Sequence, residues 1–593
     1  MTQGAAAAET SDRTGADWLA PDCQGENFYD LDPAFGAILP HYMAPALHDH
    51  LQPHLHRLGG IAGGRLDQLA RLADVHAPIL HPRDRYGRDD DWVEHHPAYR
   101  EMEKIAIDDF GLHAMSHRGG VLGWPEPMGP LAKYAVKYLY VQGEFGLMCP
   151  ISLCDTAAFM VGRYAEAEIR ERYLPRMLAP SREEMWTGTQ LMTERAGGSD
   201  VANLEVAARH DGENWRIHGD KWFCSHIDSD VILLLARTPA GQGKGSRGLS
   251  LFLVPKRLED GRRNAYRMVR LKPKLGTRSM ATGEVAFEGA VGYLMGEEGR
   301  GLRQTMDQVN LSRLSHGVRA AALMRRCLNE AMAVAHGRQA FGQPLIKHPL
   351  MRRQLMKIML PTEQALSAFL YTAATMEKAD GGDEGAARTL RILTPLIKFR
   401  ACRDNIPVAT AAMEARGGNG FIEDWVNARL VRDAHTGVLW EGTSSIVALD
   451  VTTRAVPKNL AHEALADGLH EIIEESDGVP GQFRGELSGV VDRAAGFAAE
   501  VAARAEHESF SRQATNALYH AMTAVLLARE GALMAEATGD ARRQLLARLV
   551  INQRMRPHDP MSLDDGPLEG RAAELLLDQP SAPADRVADA LAM

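Results

Sequence analysis

"NWRIHGDKWFCS", residues 214–225, decides the fold of this chain. A turn cluster precedes it, and aromatic and aliphatic residues then recur at a period near two. That pattern predicts a strand. Strict alternation would send Trp222 and Cys224 to one face and Phe223 and Ser225 to the other. Three more runs of this kind follow, "DVILLLART", "GLSLFLVP" and "GEVAFEG", set apart by turn-rich stretches such as "TPAGQGKGSRG". Residues 186–295 are therefore predicted to form a β domain.

Both flanks carry a different rhythm. Residues 26–185 are mainly helical, broken by loops such as "HPRDRYGRDDDW" and "GWPEPMGP". Across 296–455, Leu314, Val318, Ala321, Met324, Leu328, Met332 and Ala335 recur every three or four positions as one apolar stripe of a long helix. Residues 456–593 are Ala- and Leu-rich and read as an additional helical region. The first 25 residues are expected to be a mobile tail. The fold class is α+β: N-terminal α domain, central β domain, C-terminal helical bundle and a further helical region.

Bulk properties exclude several functions. The net charge of −10 gives no general attraction to nucleic acid or anionic membrane. Six scattered cysteines, with no CxxC, read as reduced thiols of a cytoplasmic protein. The N-terminus lacks the basic start and apolar stretch of a secretory signal, and no apolar run approaches a membrane span.

Five short motifs could carry chemistry. "LMTERAGGSDV" (191–201) offers the Thr193 and Ser199 hydroxyls beside Gly197 and Gly198, which let backbone N–H groups approach a ligand. Phe223 with Ser225 in "KWFCS" would present a flat apolar surface and one polar contact. In "HGRQAFGQPLIKHPLMRRQ" (336–354), Arg338 and Phe341 are expected to share one face of a helix end. "MEARGGNGFIED" ends a helix at glycines, exposing backbone at Gly418. "VLWEGTSSIVALD" (438–450) places Glu441 between Trp440 and a turn: either a solvated helix-start residue or a base in a dry pocket. Each motif alone also fits an ordinary turn, cap or core strand.

In this order and spacing, the five motifs resemble the acyl-CoA dehydrogenase flavoprotein family over roughly residues 130–455, and its AidB-like branch through "WEGT" and "FGQPLIKHPLMR". The resemblance implies FAD as cofactor and an acyl-CoA substrate oxidised to a 2,3-enoyl-CoA. Glu441 would take the α-proton while the β-hydrogen leaves as hydride to flavin N5, with Arg313 near the base. It places Met192 and Thr193 at the flavin ring, Gly198 and Ser199 near the pyrophosphate, Phe223 stacked on the ring and Ser225 near N5. Thr443 and Ser445 match further cofactor contacts. Arg338, Phe341 and Gly418 match residues reaching the FAD of a neighbouring subunit, which implies a homodimer or homotetramer. An electron-transferring flavoprotein is the implied electron acceptor. Three positions depart from the family: Glu414, Pro349 and Asn310 stand where Gln, Gln and Asp are usual.

Rival readings exist. The AidB-like branch raises duplex DNA binding through a basic C-terminal region. Residues 456–593, however, hold 13 basic and 22 acidic residues, and only Arg542, Arg543, Arg548, Arg554 and Arg556 form a small patch, read as solvated or paired. A flavin oxidase on the same fold is a second alternative, disfavoured by the intact Glu441 motif. His50 and His54 share metal-ligand spacing, but Pro45 and Pro53 are expected to break the helix that would align them. Arg313 is also open to pairing with Asp307 or another helix acid.

Overall fold

Helices begin where proline allows. Pro33, Pro45, Pro97, Pro130 and Pro349 each occupy the first turn of a helix, where a missing N–H costs nothing. The computed structural model describes residues 20–239, 245–557 and 559–592. Most of the expected tail, residues 1–19, lies outside them. Residues 20–25 are docked instead: the Ala20 and Pro21 carbonyls accept from Arg416 at 3.4 and 3.2 Å. Gly25 N–H donates to the Gly63 carbonyl at 2.8 Å.

The helix Pro45–Ile61 runs unbroken through Pro53, contrary to the sequence expectation, because neighbouring packing holds it. The His50 and His54 rings are 5.3 Å apart, and His50 Nε2 lies 3.0 Å from the Leu122 carbonyl. A short hairpin of β1 (Ile79–His81) and β2 (Trp92–Glu94) occupies what reads in sequence as a loop.

The central sheet follows, built of β3 (Gly188–Leu191), β4 (Ala207–His210), β5 (Trp215–Ser225), β6 (Val231–Arg237), β7 (Leu249–Pro255), β8 (Tyr266–Leu271) and β9 (Thr282–Met295). β6 pairs with β4 and β7, and β9 with β5 and β7; with the β4–β5 pair these close a five-stranded ring. β3 adds to β6 and β8 to β9. Strict alternation fails in β5. Its register with β9 shifts between Lys221 and Cys224, so both of those residues are buried while Trp222 and Phe223 face outward. An extra residue at a bulge does this by re-aiming the side chains around it.

Three long helices, Gly301–Gly337, Pro349–Asp380 and Glu384–Arg416, form the bundle. The stripe from Leu314 to Ala335 is buried except for Met332, which is half-buried. The opposite face is buried too, under the helix Pro130–Gly143, so Arg313, His316, Arg319, Arg325, Arg326 and Glu330 all lie inside. The C-terminal helices are no appendage. Gln364 donates to Thr523 Oγ1 at 2.7 Å, and Arg400 to Asn516 Oδ1 at 3.0 Å. The C-terminal arginines are largely neutralised: Arg542 pairs with Asp540, Arg543 with Glu363 and Glu530, and Arg548 and Arg556 with Glu486. All six cysteines are buried free thiols. Among the described residues no helix is long and apolar enough to cross a membrane.

Candidate active site

The loop before β4 is pinned from below. Lys221 Nζ, inside β5, donates to Glu194 Oε1 at 2.7 Å and to the Met192 carbonyl at 3.3 Å. Trp222 N–H donates to the Thr193 carbonyl at 2.9 Å. Glu194 also accepts from the N–H groups of Glu205 and Val206. Held this way, the loop turns through Gly197 at φ +123° and leaves Gly197, Gly198 and Ser199 exposed. Gly198 lies against Thr193: an added Cβ would come within 2.6 Å of its hydroxyl. Beside this loop the Phe223 ring is 57% exposed, with the Lys272 ammonium 5.0 Å from its centroid. Such exposure of a large ring at a strand edge suits a planar partner.

The β edge leads to the base. Ser225 is the register partner of Thr282, whose hydroxyl accepts from Lys274 Nζ at 3.1 Å. Burial pulls the Lys274 ammonium down to about 8, opposed first by the field of Cys149. Cys149 in turn feels Glu441. Glu441 has φ +54°, a conformation that costs a non-glycine residue on the order of 1 kcal/mol or more and is kept where surroundings enforce it. Two anchors enforce it here. Trp440 N–H donates to the Thr436 carbonyl at 3.2 Å, and the buried Lys398 ammonium donates to the Gly442 carbonyl.

Glu441 is half-buried. Burial raises its pKa; Arg313 opposes this most, then Lys398, Arg319 and the Ser312 hydroxyl. Arg313 does not pair with Asp307, which accepts instead from Tyr164 at 2.6 Å. Its Nη1 meets Asp450 Oδ2 at 2.7 Å, and Arg391 holds the other oxygen. The solvated helix-start reading of Glu441 is thus disfavoured by its surroundings. Thr443 and Ser445 open to the other side, lining a cleft of about 510 Å³ with Arg400, Arg403 and Arg512.

Arg338 and Phe341 do not share a helix, and only Arg338 reaches the backbone next to Gly418. The long helix ends at Gly337, and Gln339–Ala340 pairs with Gln343–Pro344 in a hairpin whose turn carries Phe341 at φ +50°. Phe341 is 97% exposed. Arg338 Nη1 donates to the Arg416 carbonyl at 3.4 Å, beside Gly417 and Gly418. Glu414, one departure from the family pattern, accepts from Gln354 at 2.9 Å. Pro349 begins its helix, and the Asn310 side-chain oxygen is buried without a hydrogen-bond partner.

Sequence reading missed Cys149, Lys274, His316, Arg319 and Lys398. A signal existed for two of them. His316 and Arg319 follow Ser312 at helical spacing, a polar face opposite the apolar stripe, which reads as solvent-facing unless both faces are known to be covered.

Comparison with known proteins agrees with this layout. Residues 299–456 match the acyl-CoA dehydrogenase C-terminal domain, 189–290 the acyl-CoA dehydrogenase middle domain, and 19–183 the N-terminal domain of the adaptive response protein AidB. Acyl-CoA dehydrogenase family member 11 of Caenorhabditis elegans is 30% identical over 435 residues, 72% of this chain and 70% of its own. The putative acyl-CoA dehydrogenase AidB of Escherichia coli (strain K12) is 35% identical over 397 residues, 65% of this chain and 70% of its own. The crystal structure of C. elegans ACDH-11 in complex with C11-CoA shares the fold, with a TM-score of 0.82 at 24% identity over 96% of this chain and 98% of that one.

Proposed function

Because this chain belongs to the acyl-CoA dehydrogenase family and carries the AidB-type N-terminal domain, we propose that it is an FAD-dependent acyl-CoA dehydrogenase with Glu441 as its base. The observation that carries the reading is Glu441 itself, held in a strained turn and raised by burial against the fields of Arg313, Lys398 and Arg319.

The residues present suit FAD. The exposed Phe223 ring and the Thr193–Ser199 loop offer a flat surface and open backbone, and the arginine-lined cleft at Thr443 and Ser445 suits phosphate oxygens. Met192, Thr193, Gly198, Ser199, Phe223, Ser225, Thr443 and Ser445 would hold it. FAD, when bound, supplies the acceptor for the substrate's β-hydride. The chain does the rest. Glu441 takes the α-proton, its N–H and the nearby cations favour negative charge on the thioester oxygen, and Trp440 keeps water away. The test is anaerobic titration of the purified yellow protein with acyl-CoA thioesters: loss of flavin absorbance is expected. Turnover that instead consumes oxygen would favour the oxidase alternative over transfer to an electron-transferring flavoprotein.

Lys398 makes a prediction about pH. A base acts only when ionised, so the reduction rate climbs as pH rises through the Glu441 pKa. Lys398 lowers that pKa, so Lys398→Met should move the climb to higher pH. Stopped-flow reduction across pH reads this. An unmoved or lowered limb would reject the assignment.

The exposed hairpin argues for a second protomer. Phe341, Leu350 and Phe421, each near Arg338 or Gly418 in sequence, are 97%, 84% and 79% exposed. In the proposed homodimer or homotetramer these residues complete the partner's FAD site. Phe341→Ser should then weaken both association and flavin retention by about tenfold or more, the worth of one buried ring. Sedimentation and the flavin-to-protein ratio should fall together; a stable assembly with full flavin would refute the shared site.

A further inference from the structure

Arg319 is a cation with nowhere to spend its charge. It is 1% exposed, and burying a guanidinium without a partner costs several kcal/mol. Other buried arginines of this protein are paired: Arg313 with Asp450, Arg325 with Asp32 and Glu363, Arg326 with Glu330, and Arg543 with Glu363 and Glu530. Arg319 makes no ion pair among the described residues, and its Nε and Nη1 are buried without any hydrogen-bond partner. Its Nη2 is engaged by the His316 ring, 2.7 Å from Nε2 and 2.9 Å from Nδ1. His316 is suited to that role. Its Nδ1 lies 2.9 Å from the Ser312 carbonyl, an acceptor that suits a proton on Nδ1 and a lone pair on Nε2, and burial, then Arg319, lowers the ring's pKa. The guanidinium is thereby steered rather than neutralised.

Its surroundings adjoin the proposed base. The guanidinium carbon lies 5.5 Å from the Phe145 ring centroid and 6.0 Å from that of Trp440, the neighbour of the base. The Cys149 thiol lies beside it. Glu441 already has Arg313 and Lys398 as its stronger cationic neighbours. Lys137 is also near, but Asp155 answers it at 2.9 Å.

We propose that Arg319 is a specificity residue that takes a carboxylate on the far end of the acyl group, so that the preferred thioesters are those of dicarboxylic acids. This rests on the acyl-CoA reading above and deepens it. The unpartnered Nε and Nη1 lie on different edges of the planar cation, so either can donate to a carboxylate oxygen, and a neutral alkyl end would leave the buried charge unanswered.

Binding and reduction are measured separately on the holoenzyme. Calorimetry compares unreactive CoA thioethers of matched length ending in carboxylate, carboxamide or methyl, over a graded series of lengths. The carboxylate form is expected to bind at least about tenfold tighter at its best length, with Arg319→Gln abolishing the preference and Arg319→Lys keeping most of it. Equal binding of the three ends, or a preference that survives in Arg319→Gln, overturns the proposal. The wild-type comparison decides even if a variant fails to fold. Reduction of the flavin by plain acyl-CoAs without carboxylate preference would remove the role of Arg319 and leave dehydrogenation standing. Carboxylate-selective binding without flavin reduction by the matching thioesters would do the reverse.

Discussion

Glu441→Gln should leave a yellow, folded protein whose flavin an acyl-CoA no longer bleaches, with the reduction rate down about a thousandfold or more. An amide cannot accept the α-proton, and a positioned general base contributes roughly 10²–10⁴ in rate, more where the site depends on it alone. The substitution keeps volume and leaves the local anchors in place, since the Thr436 turn and the Lys398 contact use backbone atoms. Folding and flavin content should therefore be unchanged, which separates loss of chemistry from loss of cofactor. Rapid-reaction spectra under argon make the measurement. Bleaching at near the parental rate would mean that another group takes the proton.

The second large effect concerns stability. Arg543 on the helix Arg542–Val550 reaches Glu363 at 2.5 Å and Glu530 at 2.8 Å, and Ser367 Oγ at 2.7 Å. Glu363 also pairs with Arg325, whose Nε meets Asp32 at 3.0 Å; Tyr42 and Ser367 donate to Glu530. One buried network thus ties the N-terminal helices, the bundle and the C-terminal region together. Arg543→Met leaves two buried carboxylates short of a cation, and breaking such a pair costs about 3–5 kcal/mol. The expected outcome is a clearly lower unfolding midpoint, with residues beyond the bundle cut first in limited proteolysis. A midpoint within a degree or so of the parent would show that the network is dispensable.

Much of this was legible in the chain. The change of period at residue 186 marks the β domain because strand and helix expose different faces at different spacings. "WEGTSS" and "MTERAGGS" announce their turns because glycine is needed where the backbone turns tightly. The failures share one cause. Trp222 was misassigned because a bulge depends on pairing with β9, not on the strand's own residues. Phe341 was put on a helix because nothing local shows that the helix yields at Gly337 to a hairpin. Arg313 reads as open to Asp307 or another helix acid, and only the fold shows that the acid is Asp450, 137 residues away in sequence.

The amino-acid order determined by itself the succession of helical, β and helical segments, the family, and the motif that holds the proposed base Glu441, since these depend on local periodicity and on contiguous motifs. Tertiary structure alone decided which charges are satisfied. Whether a guanidinium meets a carboxylate depends on segments hundreds of residues apart packing against both faces of one helix, and burial converts that meeting, or its absence at Arg319, into energy.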